Sequence, residues 1–195
     1  MPINAICVYC GSSDKVDGVY LQAAREMGQS IAGRGHTLVY GGGSTGLMGA
    51  VADSVLAAGG EVTGVITEQF NTPQLAHGRL TKMEVLPSMH ERKARMAALA
   101  DAFVVLPGGF GTMEEFFEAL TWAQIGLHAK PVGLLNTNGY YRPLLAFLEH
   151  VVENGFAYAQ HGRLYSSAGA PDELLDLLNS YQPPDGMQAW VERDQ

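Results

Sequence analysis

The sequence predicts an α/β fold: a single doubly wound, Rossmann-like domain whose central parallel sheet is covered by helices on both faces. Near-continuous apolar runs, of which Ala102-Phe103-Val104-Val105-Leu106 is the clearest, alternate with stretches of helical periodicity. Strands buried on both faces read this way, and helices between them make the sheet parallel. Three glycine loops, Gly11-Ser12-Ser13, Gly41-Gly42-Gly43 and Gly108-Gly109, each follow such a run. In a doubly wound sheet ligands bind beyond the carboxyl ends of the strands, so these loops are expected to meet at one edge. The 195 residues suffice for one domain with a substantial core.

The elements follow in order. Residues 3–10 read as a strand and 11–13 as a loop. Residues 19–34 form a helix, because Leu21, Ala24, Met27, Gly28 and Ile31 fall on one face. A short strand over 36–40 runs into the Gly41 loop, followed by a helix over 47–58 and a strand over 61–66. Residues 67–80 contain Pro73 and are irregular. A strand over 83–86 leads to a helix over 89–100, opened by Ser88 and Glu91 in capping-box spacing. The strand 102–106 precedes a helix over 112–126, and 131–135 is a further strand. Helices over 140–154 and 172–178 close the domain, which is assigned to residues 1–180. The remainder, 181–195, with Pro183-Pro184-Asp185-Gly186, is expected to be a flexible tail.

Composition excludes several functions. A net charge of −8 argues against a nucleic-acid or membrane surface. The basic residues Arg79, Lys82, Arg92, Lys93 and Arg95 nevertheless cluster, opposed only by Glu84 and Glu91. That suits a local site for a small phosphorylated ligand, although a solvated helix face is the simpler account of most of these side chains. No apolar run is long enough to span a bilayer and no signal peptide is recognisable, so a cytoplasmic location is expected. Cys7-Val8-Tyr9-Cys10 lacks a second ligand pair for zinc and lies in a strand pattern, which favours buried structural thiols. The six histidines lack metal-like spacing, so no metal is assigned. Ser12 and Ser13 lack evident His and Asp partners for a hydrolase triad.

Two glycine motifs compete for an anion. Gly41-Gly42-Gly43-Ser44-Thr45-Gly46 matches GxGxxG, with Glu61 at the distance expected of a dinucleotide fingerprint. It sits on the second strand, and close packing at a strand-to-helix turn produces the same pattern. Pro107-Gly108-Gly109-Phe110-Gly111-Thr112-Met113-Glu114-Glu115 runs from a buried strand into a helix N-terminus. Free N–H groups and the positive end of the helix dipole favour a phosphate there, with Glu115 as a nearby acid. Thr112 and Glu115 also match a capping box, which would need no catalysis. Met89, Arg92 and Met96 share a helix face, so a guanidinium beside an apolar surface could clamp a phosphate or orient a carboxylate.

Taken together, these motifs resemble the LOG ("Lonely Guy") family of cytokinin riboside 5′-monophosphate phosphoribohydrolases. The Pro107 to Glu115 stretch is similar to the PGGxGTxxE signature, and Met89-His90-Glu91-Arg92-Lys93 to the second motif. Gly46-Leu47-Met48-Gly49 and Thr121-Trp122-Ala123-Gln124 also match, and the resemblance runs from about residue 3 to about 178. It implies hydrolysis of the N-glycosidic bond in N6-substituted AMP, and in AMP itself, to free base and ribose 5-phosphate. It implies Arg92 and Glu115 as the catalytic pair. It implies substrate binding by Gln74, Met89, Lys93 and Thr121, and by the loop residues Gly108, Gly109, Phe110, Gly111, Thr112, Met113 and Glu114. Gln74 stands where plant relatives often carry an acid that contacts the substrate. A homodimer and no cofactor are implied. None of Lys15, Lys82, Lys93 and Lys130 lies in a pyridoxal-phosphate motif, which opposes the "lysine decarboxylase" label given to relatives. The alternative is a non-catalytic nucleotide or molybdenum-cofactor carrier of the same fold.

Overall fold

Seven strands form one parallel sheet, in a computed structural model that describes residues 2–185. The order is β4-β3-β2-β1-β5-β6-β7. The strands are β1 (Ala5–Tyr9), β2 (Thr37–Tyr40), β3 (Val62–Thr67), β4 (Lys82–Leu86), β5 (Ala102–Val105), β6 (Val132–Leu135) and β7 (Tyr165–Ala168). The helices are α1 (Gly18–Gly33), α2 (Gly46–Ala57), α3 (Met89–Leu99), α4 (Phe110–Gln124), α5 (Arg142–Glu153) and α6 (Pro171–Ser180). The predicted doubly wound fold is therefore present. The predicted tail from residue 186 onward lies outside the described residues. Of its first residues, Tyr181 is half-buried and Pro184 buried.

Side-chain alternation divides the core into two layers. Ile6, Val8, Leu38, Tyr40, Val62 and Val104 face α1, α2 and α6. Cys7, Tyr9, Val39, Val65, Phe103 and Val105 face α3, α4 and α5. Successive strand residues point to opposite faces, so Cys7 and Cys10 belong to different layers and both are free. Burial pushes both thiols well above the usual range, with the Glu115 carboxylate adding to it. Both thiols are buried, as their strand context suggests.

Two differences from the sequence reading matter. β7 has no counterpart among the expected strands, because Tyr-Ser-Ser-Ala offers no apolar run. It is an edge strand, paired with β6 from Val132↔Tyr165 to Leu135↔Ala168. More consequentially, α4 begins at Phe110, two residues before its predicted start, with Gly109 as N-cap. Thr112 is therefore inside the helix, and Glu115 lies in its second turn. The capping-box reading of Thr112 and Glu115 is overturned, and Glu115 is free of any capping duty. The Ser88 cap of α3 is present: its hydroxyl accepts the Glu91 N–H at 3.2 Å and donates to the Glu91 carboxylate at 2.6 Å.

The connections after β1 and β5 leave neighbouring strands for opposite faces of the sheet, α1 on one side and α4 on the other. This is the topological switch point where a crevice opens. Gly11 N–H donates to the Pro107 carbonyl at 3.0 Å across it. A Cβ on Gly108 would collide with Thr112 Oγ1 and stand 2.8 Å from the Gly11 nitrogen. Only glycine permits that approach.

Candidate active site

A cavity of about 680 Å³ opens at this switch point, lined by all three glycine loops. One wall is the start of α4, from Gly109 to Thr112. Gly109 has no side chain to cap the helix. Among the described residues the N–H groups of Phe110, Gly111 and Thr112 have no protein acceptor. Three free donors and a helix dipole make this wall suited to an anion. The opposite wall is apolar: Met48 from α2, Ile66 from β3, and Phe70 and Leu75 from the segment after β3.

Arg92 and Glu115 join the two walls. Arg92 extends from the first turn of α3 across the carboxyl ends of the strands. Its Nε donates to the Val65 carbonyl at 2.8 Å, Nη2 to the Gly41 carbonyl at 3.1 Å, and Nη1 lies 3.1 Å from Met89 Sδ. Nη1 also stands 3.7 Å from Glu115 Oε1, an ion pair without a hydrogen bond. The pair is largely screened from water, with 11% and 14% of the side chains exposed. Burial raises the Glu115 carboxyl to about 7. Arg92 opposes this, as does Lys93, while Glu114 and Glu118 reinforce it. A carboxyl poised near neutrality in a cavity marks a functional candidate.

The second glycine motif has a different fate. Asp14 Oδ1 accepts the Gly46 N–H at 2.7 Å, and Gly11 O accepts the Leu47 N–H at 2.9 Å. The start of α2 is thus already occupied by the protein's own acceptors. Glu61 lies just before β3, at the amino end of the strands and away from the cavity. The GxGxxG match is a wall of the cavity, since Gly41 and Gly43 line it, and the dinucleotide anion position is filled. Addition of NAD or NADP is therefore expected to leave the melting temperature unchanged. A rise with either that is abolished by occupying the cavity with AMP would place the dinucleotide there, and one that persists would mean that Asp14 yields its place.

A family model described as "Possible lysine decarboxylase" matches residues 48–178. Cytokinin riboside 5′-monophosphate phosphoribohydrolase LOG of Oryza sativa subsp. japonica is 46% identical over 178 residues, 91% of this chain and 74% of that protein. LOG7 of Arabidopsis thaliana, bearing the same enzyme name, is 45% identical over 91% of this chain and 82% of its own length. The chain belongs to the LOG family. Among solved structures, a molybdenum cofactor binding protein from Rippkaea orientalis superposes with a TM-score of 0.71 at 23% identity, covering 92% of this chain and 98% of that one. The molybdenum cofactor carrier protein of Chlamydomonas reinhardtii does so with 0.69 at 22%, covering 90% and 95%. These two likenesses are of fold.

In this LOG-family chain the expected site residues separate into two groups. Arg92, Glu115, Gly109, Phe110, Gly111 and Thr112 line the cavity together. Phe110 is 96% exposed at its mouth. Gly108 lies behind the loop against Gly11, and Met89 braces Arg92 through its sulfur. Met113 packs against the core. Lys93 is buried, and its ammonium pairs with Glu114 and, at 3.0 Å, with Glu118. This clasp ties α3 to α4 and stands outside the cavity lining. Gln74 is exposed beside the lining residue Leu75, and Thr121 is exposed three turns along α4. The other basic residues are also neutralised: Arg79 by Asp53, and Lys82 and Arg95 by Glu84. The basic cluster thus delivers one cation, Arg92, to the cavity.

Sequence reasoning passed over Cys10, Met48, Ile66, Phe70 and Leu75, which also line it. Phe70 and Leu75 lie in the stretch read as irregular. No signal in the sequence marks them, because what holds the segment at the cavity is its backbone attachment to the glycine loop. Ser44 N–H donates to Leu75 O at 2.8 Å, and His77 N–H to Gly42 O at 2.9 Å. Among the described residues no cluster of three or more metal-ligating side chains occurs, and no helix is long and apolar enough to cross a membrane.

Proposed function

We propose that this site hydrolyses the N-glycosidic bond of N6-substituted AMP, and of AMP, giving free base and ribose 5-phosphate. The observation that carries it is the placement of the Glu115 carboxylate and Arg92 between unpaired helix N–H groups and an apolar wall. The N–H groups of Phe110 to Thr112 hold the 5′-phosphate. The apolar surface of Met48, Ile66, Phe70 and Leu75 takes the base and its N6 substituent. The purine leaves with the electron pair of the C1′–N bond and takes up a proton. The oxocarbenium-like ribose left behind is captured at C1′ by water, which gives up a proton. Glu115, ionised, supplies the negative charge that stabilises that cation in a site largely closed to water. Arg92 orients that carboxylate and favours its ionised form, and a guanidinium stays protonated throughout.

Lysine decarboxylation by pyridoxal phosphate finds no support in this geometry. Lys93 is committed to two carboxylates, Lys130 donates to the Ala97 carbonyl at 2.7 Å, and neither Lys15 nor Lys82 lines the cavity. We place the enzyme in the cytoplasm as a homodimer, acting through the single domain over residues 1–180. The test is incubation with isopentenyladenosine monophosphate and, separately, AMP. Ribose 5-phosphate is expected from both. Binding of either without release of ribose 5-phosphate would favour a carrier.

A further inference from the structure

The turn that delivers β5 into α4 is held by its carbonyl oxygens. Leu106 O accepts the Tyr141 hydroxyl at 2.6 Å, Pro107 O the Gly11 N–H at 3.0 Å, and Gly108 O the Tyr140 hydroxyl at 2.7 Å. Three consecutive carbonyls thus have protein donors. In a trans peptide the N–H lies opposite the C=O of the same unit. Tying the Gly108 carbonyl therefore fixes the direction of the Gly109 N–H. Gly109 lines the cavity, and its N–H has no acceptor among the described residues.

We propose that Tyr140 is a positioning residue of the anion wall: its hydroxyl holds the Gly108–Gly109 peptide so that the Gly109 N–H joins those of Phe110, Gly111 and Thr112 on the substrate phosphate. This rests on the phosphoribohydrolase reading of the cavity. The tyrosine is braced for the task. It follows two left-handed residues, Asn138 (φ 52°) and Gly139 (φ 72°), the residue types that adopt this conformation most readily. Its ring meets Tyr20 of α1 edge-on at 5.6 Å and Tyr141 at 5.0 Å. Asn136 Oδ1 accepts the Tyr141 N–H at 2.7 Å and so anchors the turn to the end of β6.

Tyr141 supplies the contrast. Its hydroxyl ties the Leu106 carbonyl, whose peptide nitrogen belongs to Pro107 and carries no hydrogen to aim. Tyr141 is fully buried, whereas Tyr140 is 41% exposed. Removing the Tyr141 hydroxyl orphans a core carbonyl, and removing that of Tyr140 loosens a donor.

Calorimetry with ribose 5-phosphate and with adenosine separates the two roles. Tyr140→Phe is expected to bind ribose 5-phosphate about five-fold more weakly, as loss of one hydrogen bond implies. The KM for AMP should rise with it, while adenosine affinity and the melting temperature hold. Tyr141→Phe should lower the melting temperature and leave the ratio of ribose 5-phosphate to adenosine affinity unchanged. Unaltered ribose 5-phosphate binding in Tyr140→Phe overturns the proposal. So does equal weakening of both ligands, or an equal phosphate-selective loss in Tyr141→Phe. If the unaltered chain binds ribose 5-phosphate but cleaves no nucleotide, the enzymatic reading fails, and the tyrosine comparison is still decided by binding alone.

Discussion

Glu115→Gln is expected to slow base release from AMP or its N6-substituted forms by about 10²–10⁴-fold, the range for loss of a catalytic or charge-stabilising group. The amide is nearly isosteric, so nucleotide binding should persist and the loss should fall on kcat. The same variant should be the more heat-stable protein at alkaline pH. The folded-state carboxyl is raised from 4.5 to about 7, chiefly by burial. Such a group contributes stability that is fully present below 4.5 and is lost as pH rises through about 7. Melting curves should therefore show Glu115→Gln gaining on the parent protein across that window, with no gain near pH 4. Near-parental turnover would sink the catalytic role.

Arg92→Gln is the second large effect, about 10²–10³-fold in kcat at neutral pH. Its sharper signature is the pH profile. The groups acting on Glu115 are Arg92 and Lys93 from α3, which lower its pKa, and Glu114 and Glu118 from α4, which raise it. Activity of the parent should rise with pH through about 7 as Glu115 ionises. With Arg92 gone, the midpoint should move to higher pH, and raised pH should restore part of the rate. A midpoint that stays in place would mean that Arg92 acts on the leaving base alone. The substitution also strips donors from the Val65 and Gly41 carbonyls, so stability must be measured alongside.

The sheet was legible where burial on both faces left apolar runs, as in β1 and β5, and illegible where it did not. β7 is written Tyr-Ser-Ser-Ala because an edge strand pairs on one side only. The glycine loop was recognisable as the turn that opens a helix, but not the point at which that helix starts. Thr112 and Glu115 have capping-box spacing, and only the path of the backbone through Gly109 shows that the helix opens earlier. Arg92 and Lys93 look alike in sequence. The turn of α3 sends one over the strand ends and the other into two carboxylates on α4. The apolar wall escaped notice because Phe70 and Leu75 sit in a segment with no periodicity. It is fixed by backbone bonds to the Gly41 loop that no local pattern announces.

Lys93 and Glu114 are the sequence neighbours of Arg92 and Glu115. Each helix thus carries one partner of the cavity pair and, in the adjacent position, one partner of the clasp. The clasp acts as a caliper on the gap across which Arg92 and Glu115 face each other. Removing Lys93 leaves Glu114 and Glu118 as an unbridged pair of like charges on α4 and lets the jaws drift. A complete substitution scan read by turnover would then colour Lys93 as intolerant as any ligand-touching residue. Its map of function would be wider than the map of contact.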